Sequence, residues 1–381
     1  MKRETQLELA HALQTHVRNG STALAPGVFR NPVAIYSDPA RAKLERERLF
    51  RGLPLFMGLA CRLREPGDYL TEEVAGVPVL LVRGHDGALR AFANICRHRG
   101  APVASGCGRA RVFACPYHGW TYALDGKLAG IPEEAAFPGI DKGSHGLAQL
   151  PAAERYGMMF VRLAPGEPPQ IDIEAQLAGL GDEFGAYGFE RYSHFASETM
   201  KPAINWKFGI DTFLEGYHLP ALHRTTVAPL IRGNLVVFDA FGDHGRMTIA
   251  RHSSTVWDGK PDAEWDVLAH IVPVYRLFPN AIVVFQSDHL ETWRMLPGQT
   301  PDRSTIEFAL YAPEAPATEK ARAYWQKNYD LAIKTVLEED FALGEKMQRG
   351  FMSGLQKEVI YGRNEPALIH FHQRLRAALD S

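Results

Sequence analysis

Four residues with metal-binding side chains occur in two short clips, Cys96-x-His98 and Cys115-x-x-His118, separated by sixteen residues. Each clip contributes one thiol and one imidazole. Glycine and proline residues accompany both clips, and such residues form tight loops whose backbone amides can point at a bound anionic group. The pattern therefore predicts one metal centre that is held between two loops.

Two kinds of metal centre fit these four side chains. A structural Cys2His2 zinc site usually takes both cysteines from one clip and both histidines from another. Here each clip supplies one of each, which suits a Rieske [2Fe–2S] cluster, where two thiolates bind one iron and two imidazoles bind the other. Cys61 and Cys107 have no histidine partner, and we expect them to be ordinary small side chains.

A second set of candidate ligands lies in the stretch NWKFGIDTFLEGYHLPALH, which begins at residue 205. On a helix, Asp211, Glu215 and His218 would share one face because they are four and then three residues apart. His218 and His223 are five apart and would diverge on an unbroken helix. A proline between them interrupts the helix and allows His223 to turn back toward His218.

A carboxylate near the C-terminus completes a possible iron site. In TVLEEDFALGEK, Asp340 lies on an apolar stripe with helical spacing, four residues after Val336 and three before Leu343, while Glu339 lies at the edge of this stripe. A buried carboxylate needs a partner, which can be a metal ion or a buried salt bridge. Two histidines and one carboxylate form the facial triad of non-haem Fe(II) oxygenases, which leaves positions open for O2 and substrate.

Together these motifs resemble the Rieske non-haem iron oxygenases, specifically the α (terminal oxygenase) subunits of the aromatic-ring-hydroxylating dioxygenase family. CRHRGAP and CPYHGWTY are similar to the family's cluster signature, and NWK, DTFLEGYH and the acidic helix are similar to its catalytic domain. The resemblance implies that the ligands of a [2Fe–2S] cluster are Cys96, His98, Cys115 and His118. It implies that the ligands of a mononuclear Fe(II) are His218, His223 and Asp340.

Two further acids are candidate catalytic residues, and the resemblance assigns a role to the first of them. Glu215 matches the acid that connects a cluster histidine to an iron-binding histidine across a subunit boundary. Many members have aspartate there, and glutamate is one methylene longer, which alters the geometry of the bridge. Asp211 shares its predicted helix face, and we expect it to act beside the iron ligands or as a proton relay.

The activity implied by the resemblance is that of a terminal oxygenase. Electrons from a reductase, directly or through a ferredoxin, enter at the Rieske cluster and pass to the mononuclear iron. There O2 is activated, and a small organic substrate is hydroxylated, dihydroxylated or oxidatively demethylated. Relatives act on aromatic acids, aromatic hydrocarbons, methyl compounds and quaternary amines, and the motifs do not choose among them.

The family's assembly implies a homotrimer or a multiple of it, because the cluster and the iron of one chain are too far apart for fast electron transfer. An alternative function is a Rieske redox protein fused to a non-catalytic ligand-binding domain, with an electron-transfer or sensor role. Such a protein would not need Asp340 on an apolar helix face together with the two histidines.

The element pattern provides the framework for both centres, and it predicts an α+β fold. Residues 1–51 look helical, and we expect them to pack on the catalytic domain. Residues 52–165 contain short β-rich runs cut by turn sequences such as GHDG, which predicts a small antiparallel β domain around the cluster. A Pro-rich stretch, residues 163–174, looks like a linker at the start of the second domain, residues 166–381. The strand runs and long C-terminal helices of this domain predict an antiparallel sheet flanked by helices, of the helix-grip or START-like kind.

Composition excludes several other classes of protein. The 42 basic and 44 acidic residues leave a formal charge of −2, which provides no basic surface for nucleic acid. No apolar run approaches the roughly 20 residues that span a bilayer, and the N-terminus lacks an apolar signal core. We therefore expect a cytoplasmic protein with reduced thiols.

Two expectations concern residues outside the motifs. We expect His370 and His372 to lie on a helix surface or an interface. Several apolar strand residues could line a substrate pocket or belong to the sheet core: Val236, Val237, Phe238, Val283, Val284, Phe285 and Trp293.

Overall fold

The computed structural model describes residues 1–164 and 170–380. The chain forms two compact units, one of Met1–Leu49 with Leu177 to the C-terminus and one of Phe50–Gln176. Both units contain antiparallel sheets together with helices, so the predicted α+β class is confirmed. No helix in the described part of the chain is long and apolar enough to span a bilayer.

The strands are β1 Phe29–Pro32, β2 Leu55–Leu59, β3 Asp68–Val74, β4 Val77–Arg83, β5 Leu89–Ala93, β6 Cys107–Arg109, β7 Val112–Ala114, β8 Thr121–Ala123, β9 Leu128–Gly130, β10 Gln149–Leu150, β11 Ala152–Arg155, β12 Met158–Val161, β13 Ser193–Met200, β14 Ile231–Phe241, β15 His244–Arg251, β16 Ile271–Leu277, β17 Ala281–Phe285, β18 Leu290–Pro297, β19 Ser304–Ala312 and β20 Glu358–Tyr361.

The α-helices are α1 Arg3–Asn19, α2 Ala34–Ser37, α3 Pro39–Glu45, α4 Ile173–Leu177, α5 Gly181–Tyr187, α6 Trp206–Asp211, α7 Leu219–Leu222, α8 Glu319–Ile333, α9 Ala342–Met352 and α10 Pro366–Asp380. Two π-helical segments cover Arg46–Arg51 and Lys334–Phe341, and short 3-10 turns cover Ala60–Arg62, Glu134–Ala136, Phe189–Arg191, His252–Trp257 and Asp262–Glu264.

The unit Phe50–Gln176 is built from three small antiparallel sheets, with strand orders β10-β5-β4-β3-β6, β11-β12-β2 and β7-β8-β9. The predicted GHDG turn joins β4 to β5, as the alternation of β-rich runs and turn residues requires. The second Cys–His clip lies in the loop between β7 and β8. The predicted linker 163–174 lies partly outside the described residues, and its last two residues belong to α4.

The other unit is organised around one seven-stranded antiparallel sheet with the order β13-β19-β18-β17-β16-β15-β14. Strands β16 and β17 are buried along their whole length. A strand that is covered on both faces is a continuous apolar run rather than an alternating one, as AIVVF in β17 shows. Helix α10 packs against β14 and β15, and α6 packs against β18 and β19.

The helix predicted from about residue 205 is shorter than expected. Helix α6 begins at its N-cap Asn205, whose side chain accepts from the Lys207 amide, and ends at Asp211. Glu215 then accepts hydrogen bonds from the amides of Tyr217 and His218. Because a side chain that binds nearby backbone amides competes with helix formation, Glu215 lies in a turn between α6 and α7 and not on a shared helix face.

The predicted C-terminal helix contains a wider turn at its centre. Asp340 lies in the π-helical segment between α8 and α9, and its side chain is buried beside Val336. Leu343, predicted on the same apolar stripe, is 40% exposed. A π-helical turn contains more residues than an α-turn, so the stripe leaves the core after Asp340.

Candidate functional site

His218, His223 and Asp340 converge on one point. The Nε2 atoms of His218 and His223 are 3.2 Å apart, and Asp340 Oδ1 lies 3.6 Å from the first and 3.1 Å from the second. Ligand atoms at about 2.1 Å from one ion and at right angles to each other would be about 3 Å apart. The donor set and its spacing therefore fit a mononuclear metal ion of the facial-triad type.

The local sequence explains how the two histidines meet. His218 is the N-cap of the four-residue helix α7, in which Pro220 occupies one of the first two positions. The amide of His223 donates to the Leu219 carbonyl at the end of this single turn. One helical turn instead of a continuous helix thus places both imidazoles on the same side.

Each histidine is oriented by a second carboxylate through its other ring nitrogen. Glu215 Oε1 accepts from His218 Nδ1, and Glu339 Oε2 lies 2.6 Å from His223 Nδ1. Glu339 also accepts from the Thr226 hydroxyl at 2.7 Å. These contacts hold the hydrogen on Nδ1 and leave Nε2 free to bind a metal.

The electrostatics of this group follow from burial and close contact. Burial alone lowers the pKa of His223, but the contacts with Asp340 and Glu339 outweigh it and raise the pKa above its usual value. Burial raises the pKa of the Asp340 carboxyl, and His223 and His218 oppose that rise. A cation bound between them would satisfy the buried carboxylate.

Asp211 lies in a separate buried network. The Tyr36 hydroxyl donates to Asp211 Oδ2, and His372 Nε2 lies 2.9 Å from Oδ1. Tyr361 Oη lies 2.7 Å from Tyr36 Oη and 3.2 Å from His372 Nε2. Burial, with Asp211 nearby, raises the pKa of both tyrosines, so they stay protonated as donors.

The two C-terminal histidines were predicted at a helix surface or an interface, and a surface position is wrong for His372, which is buried, whereas His370 is partly exposed. His372 is 4% exposed and contacts Asp211, as described above. His370 contacts Arg276, whose Nη2 lies 2.9 Å from its Nδ1, and burial with this neighbouring charge lowers the pKa of His370 to about 4. Both residues lie on α10, which packs against the sheet, and sequence alone did not indicate which face is covered.

The two Cys–His loops have the same backbone hydrogen bonds. The Gly100 amide donates to the Cys96 carbonyl and the Gly119 amide to the Cys115 carbonyl, and both glycines have positive φ. Cys96 and Cys115 also donate their own amides to carbonyls five residues later. The repeated turn presents one thiol and one imidazole from each loop.

The side chains of these loops have the chemistry of an iron–sulfur site. Both thiols are free and buried, and the rings of His98 and His118 are 4.6 Å apart between centroids. His98 Nδ1 is buried and has no hydrogen-bond partner, as expected of an imidazole nitrogen that binds a metal. Two soft thiolates and two imidazoles fit a Rieske [2Fe–2S] cluster. Cys107 is exposed in β6, away from this role.

A cavity of about 410 Å³ lies against the three converging residues. Of the seven strand residues proposed for a pocket or a core, Val284 lines the cavity, and the other six do not form its wall. The apolar part of the wall contains Phe213, Leu219, Val227, Leu230, Ile231, Met247, Ile249, Ala269, Val272, Val274, Val284, Leu331, Ala332 and Val336. Polar side chains in the wall besides the candidate ligands include Arg251, Gln286, Asp288, His289, Glu291 and Tyr324.

Sequence reasoning missed Glu339 as the partner of His223 and missed the polar part of the cavity. The only signal for Glu339 was its place next to Asp340 at the edge of an apolar stripe. Arg251 and Gln286 come from two different strand ends and have no common sequence motif, so only the sheet brings them together.

Comparison with family models and known proteins gives a consistent result. Residues 189–381 match the model of the ring hydroxylating alpha subunit (catalytic domain), and residues 55–151 match the Rieske [2Fe-2S] domain. The chain is 27% identical over 377 residues to the oxygenase subunit of glycine betaine monooxygenase from Chromohalobacter salexigens, covering 87% of this chain and 81% of the relative. It is 29% identical over 356 residues to the chloroplastic choline monooxygenase of Beta vulgaris, covering 91% and 76%.

A solved structure has the same fold. It is the structure of a quaternary ammonium Rieske monooxygenase, described as giving insights into carnitine oxidation by gut microbiota and inter-subunit electron transfer. That structure and this chain align with a TM-score of 0.79. The alignment covers 93% of this chain and 97% of that one at 21% identity.

Proposed function

Because the chain belongs to the Rieske oxygenases, as an α subunit with a [2Fe–2S] domain and a mononuclear iron domain, we propose that it oxidises a small amine-type substrate at an iron bound by His218, His223 and Asp340. Membership makes the chain an enzyme that uses a reductase, O2 and a small organic substrate. It favours this function over the redox-sensor alternative. The convergence of the three ligand atoms in the cavity wall is the observation that carries the proposal.

The four loop residues Cys96, His98, Cys115 and His118 are the proposed ligands of the cluster. The buried thiols and the unpartnered His98 nitrogen support this assignment. When bound, the cluster and the mononuclear iron supply electron transfer and O2 activation. The loops contribute fixed donors, of which the two thiols are buried and the His118 ring is exposed.

The residues around the mononuclear site have separable tasks. His218, His223 and Asp340 bind the metal, and Glu215 and Glu339 fix the two imidazoles in the tautomer that binds through Nε2. The apolar wall excludes water from the reacting substrate. We propose Glu215 as the acid that also contacts a cluster histidine of a neighbouring subunit in a homotrimer, with electrons delivered by the reductase directly or through a ferredoxin.

The proposed substrate is a quaternary amine, because glycine betaine and choline monooxygenases are among the most similar relatives. The cavity wall contains Phe213 and Tyr324, and aromatic rings of this kind attract an organic cation. The reaction is monooxygenation: a C–H bond, O2, two electrons and two protons give C–OH and water. Hydroxylation of an N-methyl carbon yields a carbinolamine, which releases formaldehyde and the demethylated amine.

A product assay tests this function. Iron-loaded protein is incubated with a surrogate reductase, NADH and either quaternary amines or aromatic acids, and products formed under ¹⁸O2 are identified by mass spectrometry. We expect oxygenated or demethylated products from an amine. Asp340→Ala should abolish product formation by more than about 100-fold and keep the Rieske spectrum, because only the mononuclear site loses a ligand.

The matched control is Glu338→Ala, because Glu338 is two residues from Asp340 but exposed. It should retain the wild-type rate. Products from aromatic acids alone would replace the amine assignment, and undiminished turnover of Asp340→Ala would remove Asp340 from the ligand set.

A further inference from the structure

Arg251 and Gln286 form a polar group in the wall of the cavity that the proposed reaction does not use. Arg251 is the last residue of β15, and Gln286 directly follows β17. Arg251 Nη2 donates to Gln286 Oε1 at 2.9 Å, which leaves the Gln286 amide NH2 as a further donor. Arg251 Nε is buried and has no acceptor.

The acids in this part of the cavity are occupied by other partners. Asp288 lies 2.8 Å from His289 Nδ1 and accepts from the Tyr324 hydroxyl at 2.6 Å. Glu291 accepts from Trp293 Nε1 at 3.2 Å and lies 3.6 Å from His289 Nε2. Within the part of the chain that the structure describes, none of these carboxylates forms a salt bridge with Arg251.

His289 offsets part of the negative charge of the two acids. Burial alone lowers its pKa, but the contacts with Asp288 and Glu291 raise it to about 9, so His289 is protonated at neutral pH. Arg251 is therefore a cation with unused donors beside a cavity. A buried donor without an acceptor costs free energy, which a bound acceptor would recover.

The chain that carries Gln286 is locally strained. Ser287 adopts a φ of 75°, which is unusual for a residue with a Cβ. The backbone N–H of Gln286 donates to the His289 carbonyl across this turn at 2.9 Å. Gln286, Ser287, Asp288 and His289 all line the cavity. Strained backbone is retained where it places functional side chains, which supports a binding role for this turn.

We propose that Arg251 and Gln286 bind a carboxylate of the substrate, so that the enzyme acts on amines that also carry an acid group. This inference rests on the proposed function, because it names the substrate class of the same cavity. A planar guanidinium matches a carboxylate with paired hydrogen bonds, and the adjacent amide adds a donor. The carboxylate anchors one end of the substrate at β15 and β17, and the apolar wall encloses the remainder beside the iron ligands.

Four probes of similar size separate the two charges of such a substrate. Glycine betaine carries a trimethylammonium group and a carboxylate, and choline replaces the carboxylate with an alcohol. In 3,3-dimethylbutanoate and 3,3-dimethylbutan-1-ol, carbon replaces the ammonium nitrogen of each. Binding of each probe to the iron-loaded protein is measured by anaerobic calorimetry, which does not depend on turnover.

The wild type should bind each carboxylate about 10- to 100-fold more tightly than the alcohol of the same pair, as expected for hydrogen bonds to a charged group. Arg251→Met should reduce this preference to less than about 3-fold, and Arg251→Lys should retain part of it. Arg232→Met is the matched control, because Arg232 also has a buried Nε without an acceptor but lies outside the cavity wall. It should keep the wild-type preference.

The inference is wrong if the wild type does not bind each carboxylate more tightly than the alcohol of the same pair. It is also wrong if Arg251→Met keeps the wild-type preference for the carboxylates. The cation comparison reports separately on the proposed function. If the carboxylates are preferred but the ammonium makes no difference, the carboxylate site stands and the amine assignment fails. If the ammonium alone determines affinity, the amine assignment stands and the carboxylate site fails.

Discussion

At the scale of single residues, each histidine of the candidate mononuclear site is held by two carboxylates. Each candidate histidine contacts Asp340 through one ring nitrogen and a glutamate through the other. The two glutamates differ in their surroundings. Glu215 accepts from backbone amides of its own turn, whereas Glu339 accepts from Thr226 and comes from the same π-helical segment as Asp340. Glu339 thus links the orientation of His223 to the element that supplies the third candidate ligand, Asp340.

Replacing Glu339 should weaken the mononuclear site without touching the cluster. Glu339→Leu removes the acceptor for His223 Nδ1, so the imidazole loses its fixed tautomer and orientation. We expect iron affinity to fall by about 10- to 100-fold. The affinity is measured by titrating Fe(II) into protein with an intact cluster and an empty mononuclear site.

The control for this change is Glu338→Leu, which alters the exposed neighbour and should leave the affinity unchanged. Equal iron affinity in Glu339→Leu and the wild type would show that the carboxylate does not hold His223.

The sequence indicated the three converging side chains and, through the family resemblance, Glu215, but it did not indicate that Glu339 contacts His223. The spacing of His218 and His223 around a proline and the acid within an apolar stripe were readable because they are local features. The partners of Asp211 were not readable, since Tyr36 and His372 come from the two ends of the chain and meet only in the folded unit. Arg251 and Gln286 were missed for the same reason.

At the scale of elements, the two Cys–His loops and the π-helical segment position the candidate ligands. The loops repeat one turn, and the glycines that permit its positive φ were visible in the sequence. Helix boundaries were harder to predict from the sequence. The helix predicted from about residue 205 to include His218 ends at Asp211 because Glu215 binds nearby amides, a competition that helical spacing does not reveal. The π-helical segment was also not predicted, because its apolar residues fit an ordinary helix up to Asp340.

The cluster loops give a prediction about redox potential. Tyr122 Oη lies 3.3 Å from Cys96 Sγ and accepts from the Arg97 amide at 2.9 Å. The Tyr122 oxygen accepts the Arg97 amide hydrogen, and burial raises the pKa of the Tyr122 hydroxyl. The hydroxyl therefore stays protonated and donates its own hydrogen to the Cys96 sulfur. Such a donor stabilises the more negative, reduced cluster.

Tyr122→Phe should therefore lower the reduction potential by roughly tens of millivolts. The potential is measured by protein-film voltammetry. Tyr69→Phe provides a control, because Tyr69 packs beside Phe113 in the same unit but donates to the Ser105 carbonyl and not to a cluster thiol. A potential equal to that of the wild type in Tyr122→Phe would exclude the O–H···S bond.

At the scale of the whole molecule, each of the two compact units contains one of the two candidate metal centres. The unit Phe50–Gln176 contains the four proposed cluster ligands, and the unit with the seven-stranded sheet contains the proposed mononuclear site and the cavity. The α+β class and the antiparallel sheets followed from strand and turn patterns. The order of the seven strands did not, because register and neighbour choice depend on contacts between distant segments. Oxygenase activity requires both units, since one stores the electron and the other binds the substrate.

A single-turnover experiment tests that central claim most directly. The cluster of the wild-type protein is reduced chemically, the reductant is removed, and the amine that yields product in steady-state turnover is added with O2. Cluster oxidation is followed by electron paramagnetic resonance, and product is quantified by mass spectrometry. We predict that the cluster is oxidised as product forms, and that Asp340→Ala yields no product while its cluster is still reducible. Product from Asp340→Ala, or product from the wild type without cluster oxidation, would contradict the account.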